Sequence, residues 1–194
     1  DVFTFSYDPA KARALLDEAG HPDPDLDGPQ PRFRLSLKIS NLEFNRLQAS
    51  VIQQNLREVG IDLDVRTYEF ATLFADVLKG NFQMYVLQWT AGSLADPDII
   101  RRVFHSKQVP PEGFNRGHFS DPRVDALLDE AASSADEARR LELFQQVQRL
   151  VAVELPYISL WNKTNFIIAQ QSLAGVRVSM LADLTFLKDV SRTH

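Results

Sequence analysis

The residues of this chain that could do covalent or metal chemistry are few and scattered. None of the 194 residues is cysteine, so disulfides, thiolate metal sites and thiol nucleophiles are out of reach. The histidines His21, His105, His118 and His194 are not spaced as metal ligands, and no metal or cofactor site is expected. Gly92-Ser93 lacks the second glycine of a Gly-x-Ser-x-Gly nucleophile elbow. Asp62 and Asp64 share one face of a predicted strand, and Asp17-Glu18 and Asp129-Glu130 fall on predicted helices; all read as solvated charges. The glycines stand at helix ends, not in a loop that could cradle phosphate. What remains is the chemistry of recognition. Trp89 offers a broad flat face and an N–H donor. It leads into the small-residue loop Thr90 to Ala95 and then Asp96, which also stands where a helix N-cap would. Asn115 and Arg116 lie in a second loop, ahead of another Asp-Pro step.

The elements that must position these residues come from an ordinary globular composition. Hydrophobic residues make up 44% and charged residues 24%. The formal net charge is −5, and no basic run occurs, which argues against nucleic acid or an anionic membrane as partner. No apolar stretch has the length of a membrane span. The opening segment, Asp1 to Tyr7, reads like the interior of a longer protein rather than a signal peptide.

Three Asp-Pro steps, at Asp8, Asp96 and Asp121, each place a capping carboxylate before a proline suited to the first helical position. The first helix carries Ala12, Leu15, Leu16 and Ala19 on one face and stops at Gly20; His21 to Pro31 is a loop. Arg32 to Ile39 alternates as a strand. A helix follows from Glu43 to Val59, with Phe44, Leu47, Val51, Leu56 and Val59 expected inward. Ile61 to Tyr68 alternates again. Phe70, Leu73, Phe74, Val77 and Leu78 then mark one face of a helix ending at Gly80. Phe82 to Trp89 is a mostly apolar run suited to a central strand. The order αβαβαβ predicts a sheet with helices on its faces.

Beyond Trp89 the pattern gives a short helix from Pro97 to Phe104 and a loop to Ser120. Val124, Leu127, Leu128 and Ala131 mark the next helix. Ser134 and Glu137 fit a capping box opening a long helix to Val153, which Pro156 forbids to continue. Tyr157 to Trp161, with Trp161 in the core, and Asn165 to Ala169 read as strands, and a further one is expected near Val176 to Val178.

Several of these segments resemble the C-terminal lobe of family 5 extracellular solute-binding proteins, the dipeptide, oligopeptide and nickel group of ABC-importer receptors. Tyr7 to Gly20 is similar to the family's YDPxKAxxLLxEAG helix. Leu56 to Leu63 resembles its LxxxGIxV joint. Phe82 to Trp89 followed by Asp96-Pro97-Asp98 resembles the strand ending in Gly-Trp and the helix start after it, with Gln88 in place of the usual glycine. Phe119 to Leu128 resembles a Y-N-P-x-V-D-x-L-L start, and Arg139 to Ile158 a passage from helix to strand through E-x-P.

The resemblance implies an α/β lobe of the type II periplasmic-binding-protein kind, a mixed sheet flanked by helices that is incomplete without an N-terminal lobe. Residues 1–172 would form the C-terminal lobe, and residues 173–194 would return towards the N-terminal one. It implies the substrate-binding component of an ABC importer, in the periplasm or otherwise outside the cytoplasm. Such a protein closes on a peptide or other small-molecule ligand and docks on the permease subunits. The resemblance implies a receptor and not an enzyme. Ligands meet α/β sheets at the carboxyl ends of strands, which points to Asn41, to Trp89, Thr90, Gly92, Ser93 and Asp96, and to Asn115 and Arg116 as cleft residues. Peptide-binding members carry an aspartate shortly after the tryptophan, which pairs with the ligand's ammonium group. Gly92 stands there in this chain, so the anchor is absent or displaced to Asp96, and sugars, opines and metal chelates remain open as ligands. An enzyme on an α/β scaffold and a ligand-sensing module with the same fold are the alternatives.

Overall fold

The structure is a computed structural model, and it describes residues 3–26, 28–89, 97–162, 164–179 and 183–193. The first half of the chain forms α1 (Pro9–Glu18), β1 (Phe33–Ser40), α2 (Glu43–Arg57), β2 (Ile61–Tyr68), α3 (Phe70–Leu78) and β3 (Met84–Tyr85). The αβαβαβ order is therefore as predicted. Asp8 caps α1 by accepting the Lys11 N–H, with Pro9 at the helix start. Gly60, at φ +83, turns the chain after α2 where a side chain would be strained.

The three strands are parallel in the order β2-β1-β3. A right-handed crossover from β1 to β2 and another from β2 back across to β3 put their helices on opposite faces. Side-chain packing agrees. On one face Ala49, Ile52 and Leu56 of α2 cover Leu35, Leu37, Ile39 and Leu63. On the other, Asp76 of α3 reaches Lys38 Nζ of β1 at 2.6 Å.

β1, not the run ending at Trp89, is thus the central strand. Lys38, on the face of β1 opposite Leu37 and Ile39, is buried as they are, and so is Ser40. β3 is short and lies beside β1 as an outer strand among the described residues. Sheet pairing among them is wholly parallel, with antiparallel pairing only in a separate ribbon.

The inward face of α2 also differs from expectation. Phe44, Leu47 and Val51 are exposed, and the small Ala49 faces the sheet, because the close approach of helix to strand needs a small residue there. Likewise Leu73 and Val77 of α3 are buried while Phe70 and Leu78 are exposed.

The second half adds α4 (Ile99–Phe104), α5 (Pro122–Ser133) and α6 (Glu137–Glu154). α5 and α6 pack together through Val124, Leu128, Ala131, Leu143, Phe144 and Val147. Asp121 caps α5 as predicted, accepting from Arg123 N. The cap of α6 is Asp136, which accepts from Ala138 N and Arg139 N; Ser134 instead ends α5 and bonds to Asp136. The expected Asp96 cap lies outside the described residues, and Asp98 precedes α4 without a side-chain cap bond.

Leu155 ends α6 in the left-handed conformation at φ 50. The strands expected at Tyr157–Trp161, Asn165–Ala169 and Val176–Val178 do not form among the described residues, and much of residues 158–171 is exposed. Trp161 is not core: it is 51% exposed and meets only the edge of Phe44 among aromatic neighbours. In the last segment β4 (Leu173–Ala174) pairs antiparallel with β5 (Ser191–Arg192) across a 3-10 turn at Thr185–Asp189.

Candidate solute-binding site

The strand order reverses direction at β1, so the carboxyl edge of the sheet beside β1 and β3 is a topological switch point. Asn41 follows β1 there and is exposed. β3 continues through Val86, whose N–H donates to Lys38 O at 3.1 Å, and delivers Trp89 just beyond it. Thr90, Gly92, Ser93 and Asp96 lie outside the described residues.

Around Trp89 the fold gathers aromatic rings from distant parts of the chain. Phe114 lies 5.6 Å from Trp89 between centroids, and Tyr157 lies 6.4 Å away. Tyr157 in turn meets Phe104 of α4 at 5.6 Å and shares a 2.5 Å hydrogen bond between hydroxyls with Tyr85 of β3. Burial pushes the Tyr157 phenol well above its ordinary pKa, and the Tyr85 hydrogen bond adds to the shift; it remains neutral at physiological pH. Tyr157 is a member that sequence reading missed. Its only signal was its place after Leu155-Pro156, where the helix must end.

Arg116 sits in the middle of this cluster. Named above as a cleft residue, it is only 7% exposed. Its guanidinium carbon lies 4.4 Å from the Trp89 ring centroid, 5.2 Å from Phe74 and 5.9 Å from Phe114. Arg102 stacks on Phe114 at 3.9 Å. The Arg116 Nε is buried with no hydrogen-bond partner, and no carboxylate among the described residues pairs with its guanidinium. Burying an unpaired charge costs several kcal/mol. A cation over an aromatic face regains only about 0.5–2 kcal/mol. The aromatic walls therefore tolerate the charge without neutralising it.

Asn115 has a different task. It is 0% exposed. Its Nδ2 donates to Phe119 O at 2.7 Å and to His105 O at 3.2 Å, and its Oδ1 accepts from Phe119 N at 2.9 Å. All of its amide groups are spent on holding the loop that presents Phe114 and Arg116. Gly113 allows that loop to close, since a Cβ there would come within 2.1 Å of Gln108 O. The His105 ring is buried beside the loop. Its Nδ1 accepts from Lys107 N at 3.1 Å, which leaves Nε2 to donate to Asp129 at 3.1 Å. The Ser106 hydroxyl donates to Asp125, not to the imidazole, so these neighbours tie α4 to α5 and do not form a nucleophile and base.

Residues 1–110 match the family model described as bacterial extracellular solute-binding proteins, family 5 Middle. The chain belongs to that family. Among curated relatives, the oligopeptide-binding protein AppA of Bacillus subtilis is 27% identical over 193 residues, 95% of this chain and 34% of the relative. A putative ABC transporter peptide-binding protein of Brucella ovis is 32% identical over 175 residues, 89% of this chain and 32% of the relative. The chain thus spans about a third of the length of the curated relatives it matches. Among solved structures, AppA of Bacillus subtilis in complex with a nonapeptide shares the fold at a TM-score of 0.84 and 24% identity, covering 100% of this chain and 39% of that one. An oligopeptide-binding protein of Thermotoga maritima with bound mannohexaose matches at a TM-score of 0.72 and 27% identity, over 89% of this chain and 34% of that one. These family 5 neighbours are solute-binding proteins.

Proposed function

We propose that this chain is one lobe of the substrate-binding component of an ABC importer. The whole protein would close two lobes on a small solute and deliver it to membrane permease subunits, outside the cytoplasm. The observation that carries the reading is the Trp89–Arg116 aromatic wall at the carboxyl edge of a doubly wound parallel sheet, where such sheets meet ligands. Family membership supports it. The names of the curated relatives favour a peptide as solute, and the mannohexaose complex favours keeping carbohydrates in view.

In this reading Trp89, Asn41 and the residues around them face the cleft, and Thr90, Gly92, Ser93 and Asp96 are further candidates for contact with the solute. Asn115 acts at one remove, by positioning Arg116. Residues 173–194 run back towards the N-terminal lobe, and the rest of the parent chain covers apolar surface such as Phe44, Leu47, Val51, Phe166 and Ile168, all exposed in this chain.

The test is a thermal-shift screen of the full-length parent protein against peptides, sugars and metal chelates. A solute at a hundred times its Kd stabilises by about 2.7 kcal/mol. Trp89→Ala should weaken the hits. An unchanged Kd would reassign Trp89 to packing, and a screen without any stabilising solute would refute the binding function.

A further inference from the structure

We infer that the solute carries an anionic group, a carboxylate by the geometry of a guanidinium, and that Arg116 holds this group against the face of Trp89. The inference rests on the binding-lobe reading above and names the chemistry of its ligand.

Three observations lead to it. First, this chain neutralises its other buried cations. Arg32 is paired with Asp17 and approaches Asp23, and Lys38 is paired with Asp76. Arg116 is buried to a similar degree, and no carboxylate among the described residues pairs with it; its Nε lacks a partner there, as do those of the ion-paired Arg32 and Arg101. Second, no described residue of the cluster supplies the missing charge. Tyr85 and Tyr157 bond to each other, and burial holds the Tyr157 phenol in its neutral form. Third, the wall is doubly positive, because the Arg102 guanidinium shares the Phe114 ring with that of Arg116. A cationic group would be repelled there. A carboxylate would meet a planar fork of donors in a poorly hydrated setting, where charge-assisted bonds are strong. The rings of Phe74, Trp89 and Phe114 flank the guanidinium and limit its room to move before the solute arrives.

The inference separates this chain's site from one built around an ammonium anchor. Gly92 stands where peptide-binding relatives are expected to carry an aspartate, and Arg116 offers the opposite sign of charge.

The test uses the full-length parent protein and matched probes: N-acetyl-trialanine against its C-terminal amide, and galacturonate against galactose. Affinities are measured by calorimetry for the parent, Arg116→Met and Arg116→Lys. Binding is expected only for a probe with a free carboxylate. Arg116→Met should lose roughly 30- to 100-fold in affinity. Arg116→Lys should retain part of it, since it keeps the charge without the planar stacking. Without solute, Arg116→Met should melt at or above the parent temperature, because it removes an uncompensated buried charge. A large loss of stability in unliganded Arg116→Met would make Arg116 a structural strut and overturn the inference. Binding of an amide or neutral sugar as tightly as its acid, undiminished in Arg116→Met, would overturn the inference while leaving the transport reading intact. Absence of binding by every probe would overturn it as well, and the wider solute screen then decides the transport reading separately.

Discussion

Replacing Asn115 by alanine should loosen the loop that presents Arg116 without removing any contact to solute. Three hydrogen bonds are lost: two from Nδ2, to Phe119 O and His105 O, and one from Phe119 N to Oδ1. Neutral hydrogen bonds contribute about 1 kcal/mol each, so the local cost is about 3 kcal/mol. The cost is not relieved by water, because Asn115 is completely buried. A free-energy change of that size raises the population of the opened loop about 100-fold. Native-state hydrogen exchange reads this directly at the Phe119 amide, which should exchange about 100-fold faster, while core amides of α5 and α6 should change much less. Solute affinity should fall together with this protection, since Arg116 follows Asn115 in the same loop. Unchanged protection at Phe119 would refute the argument. Weakened affinity with protection intact would instead mean that Asn115 touches the solute itself.

Other outcomes follow from the same geometry. Gly113→Ala should force the loop away from Gln108 O, at a cost of about 1–3 kcal/mol of stability that lowers the thermal midpoint; a midpoint equal to the parent's would show that the loop yields freely. Leu128→Ala opens a cavity between α5 and α6, where Leu128 is fully buried, and should cost about 2–5 kcal/mol in urea denaturation. The Arg123 guanidinium, with backbone N–H bonds at the start of α5, holds the Asp121 carboxyl at about 2 instead of 3.8. A depressed folded-state pKa contributes stability above the unfolded value that is lost as pH falls towards the folded one. The parent should therefore lose stability between about pH 4 and pH 2. Asp121→Asn keeps a good cap and should lose less over that interval; melting curves that run parallel would contradict the assignment.

Much of the frame was legible locally. The Asp8-Pro9 and Asp121-Pro122 starts need only a carboxylate and the next few N–H groups, and both form as read. The alternation of β1 and β2 located both strands within a residue of their bounds. Of the candidate site, Trp89 and the loop carrying Arg116 were singled out because both lie beside recognisable strand or helix boundaries, and the structure brings the two side chains together. Periodicity misled where it could not know the neighbours. Phe44, Leu47 and Val51 form an apolar stripe as regular as a buried one, yet the sheet takes Ala49 and Ile52. The run after Gly80 looked central because it is apolar, and it lies outside β1 because the second crossover returns past the first.

The sequence by itself therefore determined what depends on short range: where helices begin, the alternation of strands, the absence of thiol chemistry and the likeness to a family. The tertiary structure decided what depends on residues far apart. Tyr85 and Tyr157 meet across 71 intervening residues, and Arg116 becomes a buried cation only because Phe74, Trp89 and Phe114 close over it. An arginine's type and its immediate neighbours specify its charge but not the dielectric around it. That is set by which distant rings the strand order brings to its side.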